Sequence, residues 1–459
     1  MSLSFQPLSP LDSRYASQVE ALSVFLSEAG LNRARIHVEI EWIIFLANRE
    51  LIAPSLYIND DQAAKLRSVV SNFSDVDVAK LAETEKITRH DVKAVEYFVR
   101  EKLTELDRAD LLELTHFACT SEDINNLSYA ITVRDAVTEV WLPKAKAVVA
   151  SLEAMANKYS KVSMLSRTHG QPATPTTMGK EIAVFVHRLT RQLARIEGAE
   201  YLGKYSGATG TFSAHTVAAP TVDWQQESKA FVESLGLSYN PLTTQIESHD
   251  WQAELYSAVS HFGRILHNLA TDIWSYISLG YFKQIPVPGA TGSSTMPHKI
   301  NPIRFENAEA NLEISAALFD SLSATLVTSR LQRDLTDSSA QRNIGVAFGH
   351  SLLALDNLHK GLGEIEISEG IIAADLADNW EVLGEAIQTV IRAEVVRGNS
   401  SIANPYELLK DLTRGKRLTR EDLVAFVLEL EISQEAKDRL LTLTPKDYIG
   451  LAAKLAESS

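Results

Sequence analysis

The sequence predicts an all-α protein built on a bundle of long helices. The first observation behind this is heptad periodicity. Leu255, Val259, Phe262, Leu266, Leu269, Ile273 and Tyr276 follow one another at spacings of 4-3-4-3-4-3. Ala308, Leu312, Ser315, Phe319, Leu322 and Leu326 follow at 4-3-4-3-4. Ile182, Phe185, Val186, Leu189, Leu193 and Ile196 form a third face. Stripes of this length belong to long helices packed nearly parallel or antiparallel. The second observation is that small residues (Gly263, Ala316, Ala317) interrupt these stripes, which allows close helix approach. The third is the weakness of strand signals. Leu202–Thr211 and Gln284–Thr291 are short and rich in glycine or proline, and read as loops or small hairpins.

Each element follows from these patterns. Ile265, Trp274, Ile277 and Leu279 flank the first stripe, so that helix is apolar around much of its circumference. Such a helix is buried on several sides, which predicts a homo-oligomer. Residues 1–110 read as mixed helices after an extended start, Pro7 to Tyr15. Residues 111–362 hold the long helices. Residues 363–459 read as a charged helical tail, with a turn at Asn404-Pro405-Tyr406 and a basic stretch from Thr413 to Arg417.

Composition narrows the function classes. The 459 residues are 45% hydrophobic and 22% charged, as in an ordinary folded protein. A formal charge of −15 argues against broad binding to nucleic acid or an acidic membrane, which needs a basic face. It leaves room for an anionic small substrate, since a pocket needs only a few local cations. The single cysteine, Cys119, cannot form an intramolecular disulfide and fits a reducing cytoplasm. It reads as a small buried hydrophobe rather than a nucleophile. Met1 to Glu20 lacks the basic and apolar regions of a signal peptide, and no apolar run is long enough to span a membrane. The absence of HExxH, GxGxxG and GxxxxGK[ST] patterns gives no support to metal, dinucleotide or P-loop binding.

Five segments could carry chemistry. Gly292 to Pro302 reads GSSTMPHKINP, a polar loop between buried helices with glycine and proline at its ends. It suits a catalytic lid, and equally a plain helix connection. In Leu165 to Pro175, His169 lies between Thr168 and Gly170. A loop histidine beside glycine can approach a ligand and exchange protons near neutrality; taken alone it fits a surface turn as well. Thr120 to Asn126 reads TSEDINN, with Ser121 as a helix N-cap and a possible anion site. Arg89-His90-Asp91 opens another helix, with Asp91 a possible cap. Ser329 to Arg342 brings arginines and serines together, a combination that suits phosphate or a solvated linker.

The run GSSTMPHKINP resembles the signature of the fumarase/aspartase superfamily. SRTHGQPATP, TSEDINN, TTQIE at Thr243–Glu247 and RDLTDSSAQRN at Arg333–Asn343 resemble the adenylosuccinate lyase family in its longer bacterial form. The likeness runs from SPLDSRY at Ser9–Tyr15 to LTRGKR at Leu412–Arg417. It implies an all-α, three-domain fold: an N-terminal domain with substrate-binding loops, a central long-helix domain with the catalytic loops, and a C-terminal domain. It also implies a homotetramer whose active sites are each assembled from three subunits. The implied reaction is elimination of fumarate from adenylosuccinate, and from the succinylated aminoimidazole carboxamide ribotide, without metal or cofactor. By motif match Ser293 is the base and His169 the acid, with Lys299 and Asn301 stabilising a carbanion-like intermediate. Arg14, Tyr15, Arg333, Ser338 and Arg342 fall to the phosphate and ribose. His90, Asp91, Thr120, Ser121 and Gln245 fall to the succinyl and base region, with His90 near the phosphate or His169. Ser294, Asn307 and Arg89 complete the implied binding set. The pattern departs from the family at Arg89, where asparagine is usual, and at Val287–Thr291. The competing expectations are a superfamily lyase acting on argininosuccinate, fumarate or aspartate, and a non-catalytic helical scaffold.

Overall fold

A computed structural model of the protein describes residues 7–286, 289, 295–296, 298–413 and 418–457. It is mostly helical, and the heptad stripes lie on helices Met178–Glu197, Asp250–Ser278 and Ile303–Leu326. The first stripe is buried from Leu255 through Ile273. The chain divides into two compact units, each assembled from separated segments.

The first unit comprises Met1–Lys146, Gln192–Arg264 and Ala310–Asp356. Helices Ala16–Leu26 and Glu28–Asn48 are separated by Ser27 alone, whose hydroxyl accepts the Gly30 amide at 3.1 Å. The chain turns so tightly there that a Cβ on Gly30 would lie 2.5 Å from the Phe25 carbonyl oxygen. Only glycine fits such an approach. Glu28–Asn48 carries Trp42, fully buried with its ring centroid 4.2 Å from Tyr205 and 4.8 Å from Phe231. Its Nε1 donates to the Phe117 carbonyl, so the one polar atom of the ring is satisfied. Helix Ser121–Asp135 continues through a π-helical segment, Ala136–Trp141, into Leu142–Lys158. Leu202–Gly203 pairs in parallel with Ser238–Tyr239, so the expected loop at Leu202–Thr211 opens with a short strand.

His215 is buried in this unit among Trp224, Phe212 and Tyr205, and neither ring nitrogen has a hydrogen-bond partner. Burial, with a smaller contribution from Lys204, depresses its pKa to about 4 despite the opposing charge of Asp123. The neutral ring therefore resists protonation in the folded state, whereas the unfolded chain takes up a proton near its ordinary 6.5. Stability from this source is complete above pH 6.5 and declines as pH falls toward about 4. His215→Gln should flatten the plot of unfolding free energy against pH in that window. Equal slopes for variant and parent would contradict this.

The second unit comprises Ala147–Arg191, Ile265–Glu309 and Asn357–Ser459. Its C-terminal helices close on a core of Leu383, Ile387, Ile391, Leu423, Val427 and Leu440, among others. Two strand pairings replace expected loops. Phe282–Gln284 pairs antiparallel with Ile365–Ile367, a long-range pairing rather than a local hairpin. Ser163–Thr168 and Gln171–Thr177 form a hairpin where a loop was expected. Thr168 pairs with Gln171, which leaves His169 and Gly170 as a two-residue turn with φ of 54° and 73°. Positive φ at both positions is what a type I′ turn demands, and glycine supplies one of them without strain.

Candidate active site

The first unit gathers most of the expected substrate-binding residues. Helix Asp75–Thr88 ends at Arg89, an exposed left-handed residue with φ 53°. His90 then caps helix Asp91–Glu105, its Nδ1 accepting the Lys93 amide at 3.2 Å, so the capping role falls to His90 rather than Asp91. Asp91 Oδ2 receives two guanidiniums, Arg35 Nη2 at 2.8 Å and Arg342 Nη2 at 3.0 Å. Burial would raise this carboxyl. The charges of Arg35 and Arg342 and the Val92 amide outweigh it and hold the group below its ordinary value. Asp91 is thus an anion at neutral pH.

Arg333 is engaged on several sides. Its Nη2 lies 2.9 Å from Glu122 Oε1, and its Nη1 donates to Gln245 Oε1 at 3.3 Å. Gln245 in turn donates to the Ala208 carbonyl at 3.0 Å. Ser338 is in the first turn of the short helix Thr336–Gln341, which falls within the expected linker. Its amide donates to Asp337, whose other oxygen is 3.3 Å from the buried His249. Arg342 Nη1 also pairs with Glu28 at 2.6 Å. Arg14 is exposed, its guanidinium 5.7 Å from the centre of the Tyr15 ring.

Thr120, not Ser121, is the N-cap of helix Ser121–Asp135. Its amide donates to Asp123 Oδ2 at 2.8 Å. Asp123 and Lys204 form a fully buried ion pair at 2.9 Å. The same carboxylate accepts the amides of Ser206 and Gly207, and Lys204 Nζ also donates to the Gly207 carbonyl at 3.1 Å. The pair therefore fixes the start of the Thr120–Ser121 helix against the Lys204–Gly207 segment.

The second unit holds His169, exposed at the hairpin tip. A left-handed non-glycine residue costs about 1 kcal/mol, so the surrounding hairpin must impose it. Arg167, two residues earlier, pairs with Asp375 at 2.5 Å, and the Tyr281 hydroxyl donates to the same carboxylate. Thr174 donates to Glu385. These contacts tie both strands to the C-terminal helices. Lys299 is exposed in this unit, Asn301 is half-buried, and Asn307 accepts from Asn357 Nδ2 at 3.0 Å. Ser293 and Ser294 lie outside the described residues.

Among the described residues one set could hold a metal: Glu39, His116 and Cys119, with ligand atoms within 4.8 Å of one another. His116 Nδ1 is already 2.6 Å from Glu39 Oε1, and its amide donates to the other oxygen. Burial opposes a charged His116, but the hydrogen bond and charge of Glu39 prevail and raise its pKa. Burial, Glu39 and Asp123 push the Cys119 thiol well up, which favours the neutral thiol over a metal-binding thiolate. The set is therefore a histidine–carboxylate pair beside an inert thiol. Glu122, Asn125 and Arg35, which join the arginines described above, are absent from the binding residues expected from sequence. For Glu122 and Asn125 the signal was their place in the TSEDINN segment, whereas no local signal marks Arg35.

A family model described as "Lyase" matches residues 13–313. The helical architecture is also that of two solved structures, which show the fold alone: a fumarate lyase from Mesorhizobium sp. BNC1 (TM-score 0.75, 19% identity, 96% of this chain and 97% of that one) and a 3-carboxy-cis,cis-muconate lactonizing enzyme from Pseudomonas putida (TM-score 0.76, 20% identity, 96% of each). The match to the lyase model over most of the chain makes the protein a lyase of the fumarase/aspartase superfamily. A second model, "Adenylosuccinate lyase C-terminal", matches residues 329–449. The chain is 46% identical to adenylosuccinate lyase of Haemophilus influenzae over 451 residues, 98% of each chain. It is 45% identical to that of Escherichia coli K12 over 455 residues, 99% of this chain and 98% of the relative. The chain belongs to the adenylosuccinate lyase family.

Proposed function

We propose that the protein eliminates fumarate from adenylosuccinate, yielding AMP, and from the succinylated aminoimidazole carboxamide ribotide. The observation that carries this reading is 46% and 45% identity to adenylosuccinate lyases over 98% and 99% of the chain. In the reaction, Ser293 takes the proton from the carbon next to the leaving C–N bond's carbon. The resulting electron pair forms the fumarate double bond as the C–N bond breaks. His169 gives a proton to the departing nitrogen. Lys299 and Asn301 stabilise the charge that builds on the carboxylate before cleavage. Arg333, Arg342, Ser338, Arg14 and Tyr15 hold the phosphate and ribose, while His90, Asp91, Thr120, Ser121 and Gln245 face the rest of the substrate. The functional division is at residues 110 and 362.

The working form is a cytoplasmic homotetramer with sites shared between subunits. Two features support this. Val184, Trp274 and Ile314 remain more than a third exposed on long helices, as expected of faces that other copies cover. His169 at an exposed hairpin tip lacks the dry surroundings a general acid exploits. The purified protein should release fumarate from adenylosuccinate and not from argininosuccinate, followed by absorbance. Rapid release from argininosuccinate with none from adenylosuccinate would overturn the assignment.

A further inference from the structure

We infer that Arg35 is a positioning residue that sets the two guanidiniums, Arg333 and Arg342, which the proposed function gives to the substrate phosphate. Arg35 lies within helix Glu28–Asn48 and its side chain is 1% exposed. A guanidinium so far from water must have its donors used. Its Nη1 donates to Asn32 Oδ1 at 2.9 Å, within its own helix. The other two bonds lead outward. Nη2 meets Asp91 at 2.8 Å, and Nε donates to Asn125 Oδ1 at 2.9 Å.

Each outward bond ends on one of the two arginines. On one branch, the Asp91 oxygen that faces Arg35 also faces Arg342 Nη2 at 3.0 Å. On the other, Asn125 turns its oxygen to Arg35 and therefore its amide hydrogens to Glu122, 2.7 Å away. The same Glu122 oxygen is 2.9 Å from Arg333 Nη2. The donor and acceptor sense of every link follows from Arg35, because a guanidinium can only donate.

The charge balance explains what this achieves. Asp91 and Glu122 are the anions that link Arg342 and Arg333 to Arg35, with Glu28 a further anion on Arg342. Arg35 satisfies Asp91 directly, and Asn125 gives Glu122 a neutral donor. Neither carboxylate then claims its arginine entirely, and each arginine keeps donors for a bound anion. Without Arg35, Arg342 would have to balance Asp91 alone. Asn125 could rotate, and Glu122 would draw Arg333 inward. Lysine cannot replace the fork, since one ammonium does not reach three acceptors arranged around a plane.

The inference rests on the phosphate reading of Arg333 and Arg342, and the test separates the two. AMP and adenosine binding would be measured by calorimetry for the oligomeric protein and for Arg35→Lys, Asn125→Ala, Arg333→Ala and the Arg35→Lys/Arg333→Ala double variant. Arg35→Lys and Asn125→Ala should each weaken AMP binding about tenfold, as loss of a charge-assisted bond does. KM for adenylosuccinate should rise with kcat little changed, and adenosine binding should stay as in the parent. The double variant should bind AMP much better than the product of the single losses, because both changes act through one chain of contacts. Equal losses for AMP and adenosine would mark general damage and overturn the proposal. If Arg333→Ala weakens AMP but Arg35→Lys and Asn125→Ala do not, Arg35 has no positioning role and the phosphate reading stands. If Arg333→Ala leaves AMP affinity unchanged, the phosphate reading falls and this inference with it. Should Arg35→Lys fail to fold, Asn125→Ala decides, since it breaks the Glu122 branch and keeps the buried charge.

Discussion

Alanine at position 169 or 293 should lower fumarate release by about a hundredfold to ten-thousandfold, the range associated with losing a positioned acid or base. The two losses are expected for different reasons. His169→Ala removes the proposed proton donor, which the hairpin holds at its tip in a conformation non-glycine residues seldom adopt. Ser293→Ala removes the group that would take the substrate proton. His169 is exposed and supports no core, and serine to alanine removes one oxygen. Both variants should therefore keep the parent's oligomeric state on gel filtration. Mixing the inactive proteins under conditions of subunit exchange should restore part of the activity, because some hybrid sites then receive an intact His169 and an intact Ser293. No recovery after exchange has been verified by mass spectrometry would count against sites shared between subunits.

The second large effect is on stability. Lys204→Met should destabilise the protein by about 3–5 kcal/mol, the range for a buried charge stripped of its partner. Asp123 would be left buried with no cation in contact, although the amides of Thr120, Ser206 and Gly207 still point at it. Adding Asp123→Asn should recover part of that loss, since a neutral amide keeps an acceptor for those donors without the charge. Urea denaturation of the parent, Lys204→Met and the double variant measures both steps. A cost below about 1 kcal/mol for Lys204→Met, typical of an exposed pair, would show that the pair does not hold this segment together. The same change should impair activity, because the segment begins at Thr120 and Ser121.

The long helices were legible because a heptad stripe is a local and repeated signal. Leu255 to Tyr276 reads as one helix without knowledge of anything else in the chain, and the helix spans Asp250–Ser278. The hairpin bearing His169 was not legible. Gly170, Pro172 and Pro175 read as loop residues, yet a two-stranded hairpin consists of edges that tolerate proline. The pairing of Phe282–Gln284 with Ile365–Ile367 depends on residues far apart in sequence, which no short window registers. The capping shift from Ser121 to Thr120 is smaller. Either hydroxyl can begin a helix, and the choice follows from which backbone is extended, Thr120 having φ −117°. Among candidate site residues, those in distinctive motifs could be named from sequence. Arg35 could not, because its meaning lies in three partners on three separate segments, Asn32, Asp91 and Asn125.

The segmented build of the two units sets the order in which the chain can acquire structure during synthesis. The first unit begins at the N-terminus but draws its last segment from Ala310–Asp356. At ordinary ribosomal speeds, Met1–Lys146 waits about 10–30 s before Ala310 is made. Throughout that interval the partners of Arg35 on helix Asp91–Glu105 and helix Ser121–Asp135 exist, but Arg333 and Arg342 do not. Until that segment is translated Asp91 has Arg35 as its cation, while Glu122 has the neutral amide of Asn125. The nascent chain holds these half-built polar clusters until Arg333 and Arg342 complete a framework laid down by its first helices.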